Sequence, residues 1–225
     1  MTWQTLAPAI SEIWLVAAIC IILLVDAFAG QTRRGLTPTL TLVALAVGAA
    51  LTVVYANVGQ RTMLFDGMYV ADGLAYTLKL FGYLFVAFGL LYSRDYLEER
   101  GILRGEYFVL MLTALLGIFV LVSAGSMLTV YIGVELLALS VYAMAAFDRD
   151  SGVAAESAMK YFVLGAIGSG ALLYGMSMIY GMTGTLSLEE LAQKLQGEPN
   201  LGVTIGLVFI VDPELDFNSL PASAL

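Results

Sequence analysis

The chain has 225 residues, 60% of them hydrophobic and only 12% charged, with a mean hydropathy of +0.89. A soluble domain carries about 25% charged residues, so there is too little polar material here for a water-facing surface, and the composition is that of a polytopic membrane protein. The net charge of −8 argues against nucleic acid as a partner. With no histidine and one cysteine, neither a haem, an iron–sulfur cluster, a zinc ion nor an internal disulfide is expected in this chain.

Apolar runs of the ~20 residues needed to cross about 30 Å of hydrocarbon recur along the chain. The first covers residues 10–29. No Lys or Arg precedes it and Glu12 stands where a signal peptide would be basic, so it reads as a retained helix. Cys20 lies inside it and reads as a packing residue. Further spans are predicted over residues 37–57, 73–93, 106–122, 126–147 and 157–181. A short surface helix follows at 188–195, with Ser187 as its N-cap and Glu190 completing a capping box. The last apolar run, 201–211, is too short to span, and Asp212-Pro213-Glu214 ends it. Residues 212–225 form a polar tail that is expected to make few contacts. The fold class expected is all-α: a polytopic transmembrane helix bundle of about six complete helices plus a truncated seventh.

Basic residues orient the bundle. The connections after helices one, three and five hold Arg33, Arg34, Arg94, Arg100, Arg104 and Arg149, against only Arg61 and Lys194 on the other side. Six against two puts the odd connections in the cytoplasm and the N-terminus outside.

An ionised group at mid-bilayer costs a few kcal/mol at least (about 2.5–3.5 on insertion scales). Glu135 is bracketed almost evenly by the run 126–147, some 14–18 Å from either end, too far to snorkel. It is either a protonated glutamate bonded to a neighbouring helix or a proton relay, and the relay reading is preferred. Lys160 sits in the sixth run with Glu156 one turn before it, an i,i+4 pair in the favourable order. That pair is either a snorkelling interfacial lysine or part of the path. Tyr131 and Tyr142 lie on or near the Glu135 face and can line a hydrogen-bonded path. Lys79 and Asp72 read as an interfacial pair, and Glu12 and Asp26 as acids reaching water at the two ends of helix one. Lys160 is expected about 6 Å nearer the cytoplasm than Glu135. Gly165, Gly168, Ser169, Gly170, Ala171 and Gly175 give small-xxx-small spacings for close helix approach.

Gly133-Val134-Glu135-Leu136, the segment from Glu156 through Lys160 to Phe162, and the glycine-rich helix behind it resemble the subunit N family of bacterial NADH:quinone oxidoreductases, respiratory complex I. Asp72-Gly73 and Gly105-Glu106-Tyr107-Phe108 fit the same pattern, and the resemblance runs from about Thr2 to Val211. It implies an antiporter-like membrane subunit of about fourteen helices with two inverted five-helix repeats. Residues 1–105 then form an N-terminal three-helix region, 106–211 the incomplete start of the first repeat, and 212–225 a non-family tail. Glu135 matches the family's fifth-helix glutamate and Lys160 its sixth-helix lysine. The family's lysine on a broken seventh helix, followed by Pro-Phe-His, has no match here, so the chain looks truncated after Val211. The function implied is proton translocation coupled to electron transfer from NADH to quinone, in the bacterial inner membrane. The partners implied are the lipid bilayer, other membrane and peripheral subunits and neighbouring antiporter-like subunits. FMN, iron–sulfur clusters, NADH and quinone belong elsewhere in that complex, with no redox centre in this chain. A stand-alone cation/proton antiporter and a scaffold without pumping are the alternatives.

Overall fold

A computed structural model describes residues 6–29, 36–56, 59–195 and 201–211. The expectations for Arg33, Arg34 and the tail 212–225 lie outside the described residues. A 3₁₀ turn, Ala7–Ala9, leads into α1 (Ile10–Ala29), followed by α2 (Leu36–Tyr55), α3 (Gly73–Glu99), α4 (Gly105–Val122), α5 (Met127–Ala145), α6 (Gly152–Thr183), the short α7 (Leu188–Lys194) and α8 (Leu201–Val211). Among the described residues six helices are long and apolar enough to cross a membrane. The architecture is the all-α bundle read from the apolar runs.

Two helices outrun their apolar stretches. α3 continues through Arg94, Asp95, Glu98 and Glu99, where a charged helix can extend into water. It stops at Gly101, whose φ of 68° suits a left-handed C-terminal residue. α6 starts earlier than its apolar run because the Ser151 hydroxyl accepts from Ala154 N at 3.3 Å and caps it.

The main core lies among α1, α2, α3 and α4. Leu15, Leu45, Leu90, Phe108, Leu112 and Leu115 are buried together there. Beyond it α5 packs against α4 at a pair of glycines. A Cβ on Gly117 would meet Leu137 N at 2.7 Å, and one on Gly133 would meet Leu121 N at 2.9 Å. α6 meets α8 in the same way through Gly175 and Gly206. The expected small-residue stripe is used unevenly: Gly165 receives the Tyr142 ring, whereas Gly168 and Gly170 face open space. Cys20 is exposed rather than packed. Large apolar side chains such as Phe85, Phe88, Leu164 and Ile167 stay exposed, the surface that lipid or further helices cover.

The feature that the apolar runs conceal is an antiparallel hairpin, β1 (Thr62–Leu64) and β2 (Tyr69–Ala71), with Leu64 opposite Tyr69. Its turn places Phe65, Asp66 and Gly67 at positive φ. The hairpin ties one end of the bundle together. Val70 N donates to Ser123 O at 2.8 Å, Gly125 N to Met68 O at 3.0 Å and the Thr129 hydroxyl to Met68 O at 2.9 Å. The α6–α7 loop joins through Met127 N to Leu186 O and Leu188 N to Gly125 O. The opposite end carries Arg94, Arg100, Arg104 and Arg149, the last paired with Glu106 at 2.6 Å.

Candidate functional site

Glu135 sits on α5 two residues past the Gly133 crossing, half-buried and turned toward α6. The Ser169 hydroxyl donates to Glu135 Oε2 at 2.6 Å. Ser169 Oγ lies 3.1 Å from the Tyr131 hydroxyl. Since the single Ser169 proton is committed to the carboxylate, Tyr131 is the donor of that second bond. The three side chains form a directional chain: Tyr131 to Ser169 to Glu135. Such a chain passes a proton by reversing its bonds, without moving heavy atoms.

Tyr131 thus joins the centre, although through a serine rather than directly. By sequence Ser169 counts only among the small packing residues of α6. Its signal was a hydroxyl inside a glycine-rich membrane segment, where a polar group needs a partner. Tyr142 does not join the chain. Its ring packs edge-on to Phe162 at 6.1 Å, and its hydroxyl lies against Gly165. Tyr142 lines an apolar hollow of about 450 Å³ between α5 and α6, with Leu139, Ala143, Ala158 and Phe162.

Lys160 is not brought to Glu135. Its ammonium contacts Glu156 at 2.6 Å on an exposed face, with about two thirds of each side chain accessible. Ser169, level with Glu135, is nine residues further along α6, so Lys160 stands about 13 Å away along the axis rather than about 6 Å. The reason is that α6 begins about two turns beyond the end of α5.

A second polar cluster corrects two expectations. Lys79 is fully buried and pairs with Glu12 at 2.6 Å, not with Asp72. Asp72 instead accepts from Ala75 N at 2.8 Å and caps α3. Glu12 does not reach water freely: it is 9% exposed. Lys79 Nζ donates to the Tyr69 hydroxyl at 2.9 Å. That hydroxyl lies 3.2 and 3.1 Å from the two Glu12 oxygens and 3.0 Å from Pro8 O. Burial, and then the Glu12 carboxylate, hold the Tyr69 phenol well above its ordinary range. The physical cause of the pairing is three-dimensional: the hairpin folds over the ends of α1 and α3 and removes the water both charges would have used. Asp26, at the other end of α1, accepts from the Thr37 hydroxyl at 2.9 Å.

At α7, the Ser187 hydroxyl accepts from Glu190 N at 3.5 Å, as expected. The reciprocal half of the capping box is replaced, because Ser187 N donates to the Thr185 hydroxyl at 3.1 Å.

Residues 124–212 match the family described as "NADH:quinone oxidoreductase/Mrp antiporter, TM". The NADH-quinone oxidoreductase subunit N of Thiobacillus denitrificans is 52% identical over 207 residues, which cover 91% of this chain and 43% of that protein. In respiratory complex I from Thermus thermophilus with bound aureothin, one chain is similar with a TM-score of 0.71 at 25% identity, covering 89% of this chain and 42% of its own. A chain of the membrane-bound sulfane sulfur reductase, an archaeal respiratory membrane complex, is similar with a TM-score of 0.74 at 25% identity, covering 90% of this chain and 43% of its own. The chain therefore spans less than half the length of the relatives it matches.

Proposed function

We propose that the chain, matched over residues 124–212 by the NADH:quinone oxidoreductase/Mrp antiporter family and 52% identical to a subunit N, is part of a proton-translocating subunit of a bacterial NADH:quinone oxidoreductase, with Glu135 as the group that takes up and releases the proton. The observation that carries this reading is the Tyr131–Ser169–Glu135 chain, set inside helices of membrane-spanning length. A carboxylate at that depth needs a compensating role. A tyrosine and a serine give it a bonded route for exchange. Electrons pass through NADH-oxidising flavin, iron–sulfur centres and quinone in other subunits, and the share of this chain is the proton step. Lys160, held by Glu156, acts on Glu135 through water and through the field along α6. At about 13 Å and an effective dielectric of about 20, that field is worth at most about 1.3 kcal/mol, and solvent and Glu156 reduce it further. In this reading the protein lies in the inner membrane, the N-terminus and hairpin face the periplasm, and the arginine-bearing end faces the cytoplasm. Its partners are the other membrane and peripheral subunits of the complex.

The test is proton uptake by inverted vesicles driven by NADH, normalised to assembled complex, with the full-length subunit carrying Glu135→Gln. The amide keeps shape and much of the bonding but cannot titrate, so uptake falls roughly tenfold or more. Glu135→Asp retains part of it. Normal uptake with Glu135→Gln overturns the reading in favour of a scaffold. A sodium response independent of NADH overturns it in favour of a separate antiporter.

A further inference from the structure

We propose that Glu12, Lys79 and Tyr69 form a second proton-binding site, reached from the hairpin end of the bundle only, in which Glu12 gains and loses the proton while Lys79 stays charged. The site is geometrically separate from Glu135, and it rests on the reading above only in that the chain spans a membrane.

Tyr69 acts as a hydrogen-bond switch. Its hydroxyl is within 3.2 Å of both Glu12 oxygens and 3.0 Å from Pro8 O. With Glu12 ionised, the phenol donates to the carboxylate. With Glu12 protonated, the phenol turns its proton to Pro8 O and accepts from the carboxyl. Both protonation states are thus satisfied without moving a heavy atom, whereas a purely structural ion pair needs only the first arrangement.

Aromatic rings surround the cation. Lys79 Nζ lies 5.1, 5.9 and 6.0 Å from the ring centroids of Tyr69, Tyr76 and Phe119. Their faces hold the positive charge when Glu12 no longer balances it. Protonation of Glu12 takes one proton from water, breaks no other bond and leaves one net positive charge, on Lys79. Release reverses this. The charged and titratable groups facing Glu12 and Lys79, besides each other, are Tyr69 from β2, Asp72 capping α3, and Tyr76 and Tyr83 on α3. α4 contributes the Phe119 ring, and the Thr52 hydroxyl of α2 lies 2.9 Å from the Ser11 hydroxyl beside Glu12.

Access to the cluster is one-sided. The Ser123 hydroxyl is fully buried, turned toward Tyr69, and has no hydrogen bond of good geometry among the described residues. Its chain neighbours Val122 and Ala124, with Val70 and Asp72, line a hollow of about 210 Å³ rimmed by Arg61 and Glu189. That hollow lies at the hairpin end; Val70 and Ala124, the chain neighbours of Tyr69 and Ser123, line it, while Glu12, Lys79, Tyr69 and Ser123 do not. Toward the other end, Leu15 and Leu115 are fully buried one turn deeper and close the way with apolar core. Protons therefore exchange with one aqueous phase.

The experiment is infrared difference spectroscopy of the full chain in lipid nanodiscs, perfused from alkaline to acid pH. A protonated-carboxyl band that grows on acidification is expected, and it is absent in Glu12→Gln with the helical circular dichroism intact. In Tyr69→Phe the carboxylate loses its donor, so the band appears at higher pH by about one unit, a tenfold change in proton affinity. Should Glu12→Gln lose its helical spectrum, the Tyr69→Phe shift decides. A folded Glu12→Gln chain that keeps every carboxyl band, or a Tyr69→Phe chain that titrates as the parent does, overturns the proposal. Glu135→Gln leaves the Glu12 band in place, so failure here is distinct from failure of the pumping test.

Discussion

The Ser169 hydroxyl donates to the Glu135 carboxylate at 2.6 Å from the facing helix, in a segment otherwise made of glycine and apolar residues. It is the contact that turns a membrane carboxylate into a bonded centre, because the same oxygen also receives Tyr131.

Ser169→Ala removes the donor and leaves the glutamate. Proton uptake per assembled complex is expected to fall several-fold, less than with Glu135→Gln. Ser169→Thr keeps the hydroxyl and recovers part of the rate. Uptake equal to the parent in Ser169→Ala would show that the chain of hydroxyls is idle.

The glycine crossing of α4 and α5 holds Glu135 in place. In Gly117→Val the new side chain meets the α5 backbone, which cannot yield. A loss of about 1–3 kcal/mol is expected, read as a lower midpoint in denaturant titration of the chain in detergent. Gly170→Ala projects into open space and stays within about 0.5 kcal/mol of the parent.

Breaking the buried Glu12–Lys79 pair at one partner strands a charge. Lys79→Met should cost about 3–5 kcal/mol, and the double change Glu12→Leu with Lys79→Met should recover most of it. The same denaturant titration reads both. A double variant as unstable as the single one contradicts this account.

Tyr69 predicts an alkaline weakness at the hairpin. Its phenol is held above the ordinary value of about 10 by burial. Above that pH the unfolded chain releases the proton and the folded one keeps it, so the folded state binds more protons and its stability falls as pH rises. Below about pH 10 both states keep the proton and stability does not depend on this group. Trypsin cleavage at Arg61 should therefore accelerate above about pH 10 in the parent and less so in Tyr69→Phe.

Lys160→Ala loses one exposed pair with Glu156. The expected stability change is within about 0.5 kcal/mol. Uptake should fall less than with Glu135→Gln, since about 13 Å of α6 separates the ammonium from Glu135. An equal loss in the two variants would place Lys160 in direct contact with the path.

The local chemistry of the chain by itself determined the helices. Each span is a run of apolar residues with its cap or breaker beside it, and α1 occupies residues 10–29 as its composition requires. Glu135 also stood out unaided, because a charge bracketed by apolar residues is costly wherever they fold. The hairpin leaves a fainter mark in the sequence. Tyr69 and Ala71 alternate inward around Val70, but three-residue strands give too few positions for a period of two to emerge from an apolar background. Only the tertiary structure decided partners. Glu12 and Lys79 are 67 positions apart and meet because the hairpin and two helices converge. Ser169 reaches Glu135 because antiparallel helices bring distant turns level, while Lys160, nearer to Glu135 in the chain, is left outside by the overhang of α6. Cost in a membrane is a property of one residue, and compensation is a property of two, so sequence exposes the first and packing supplies the second.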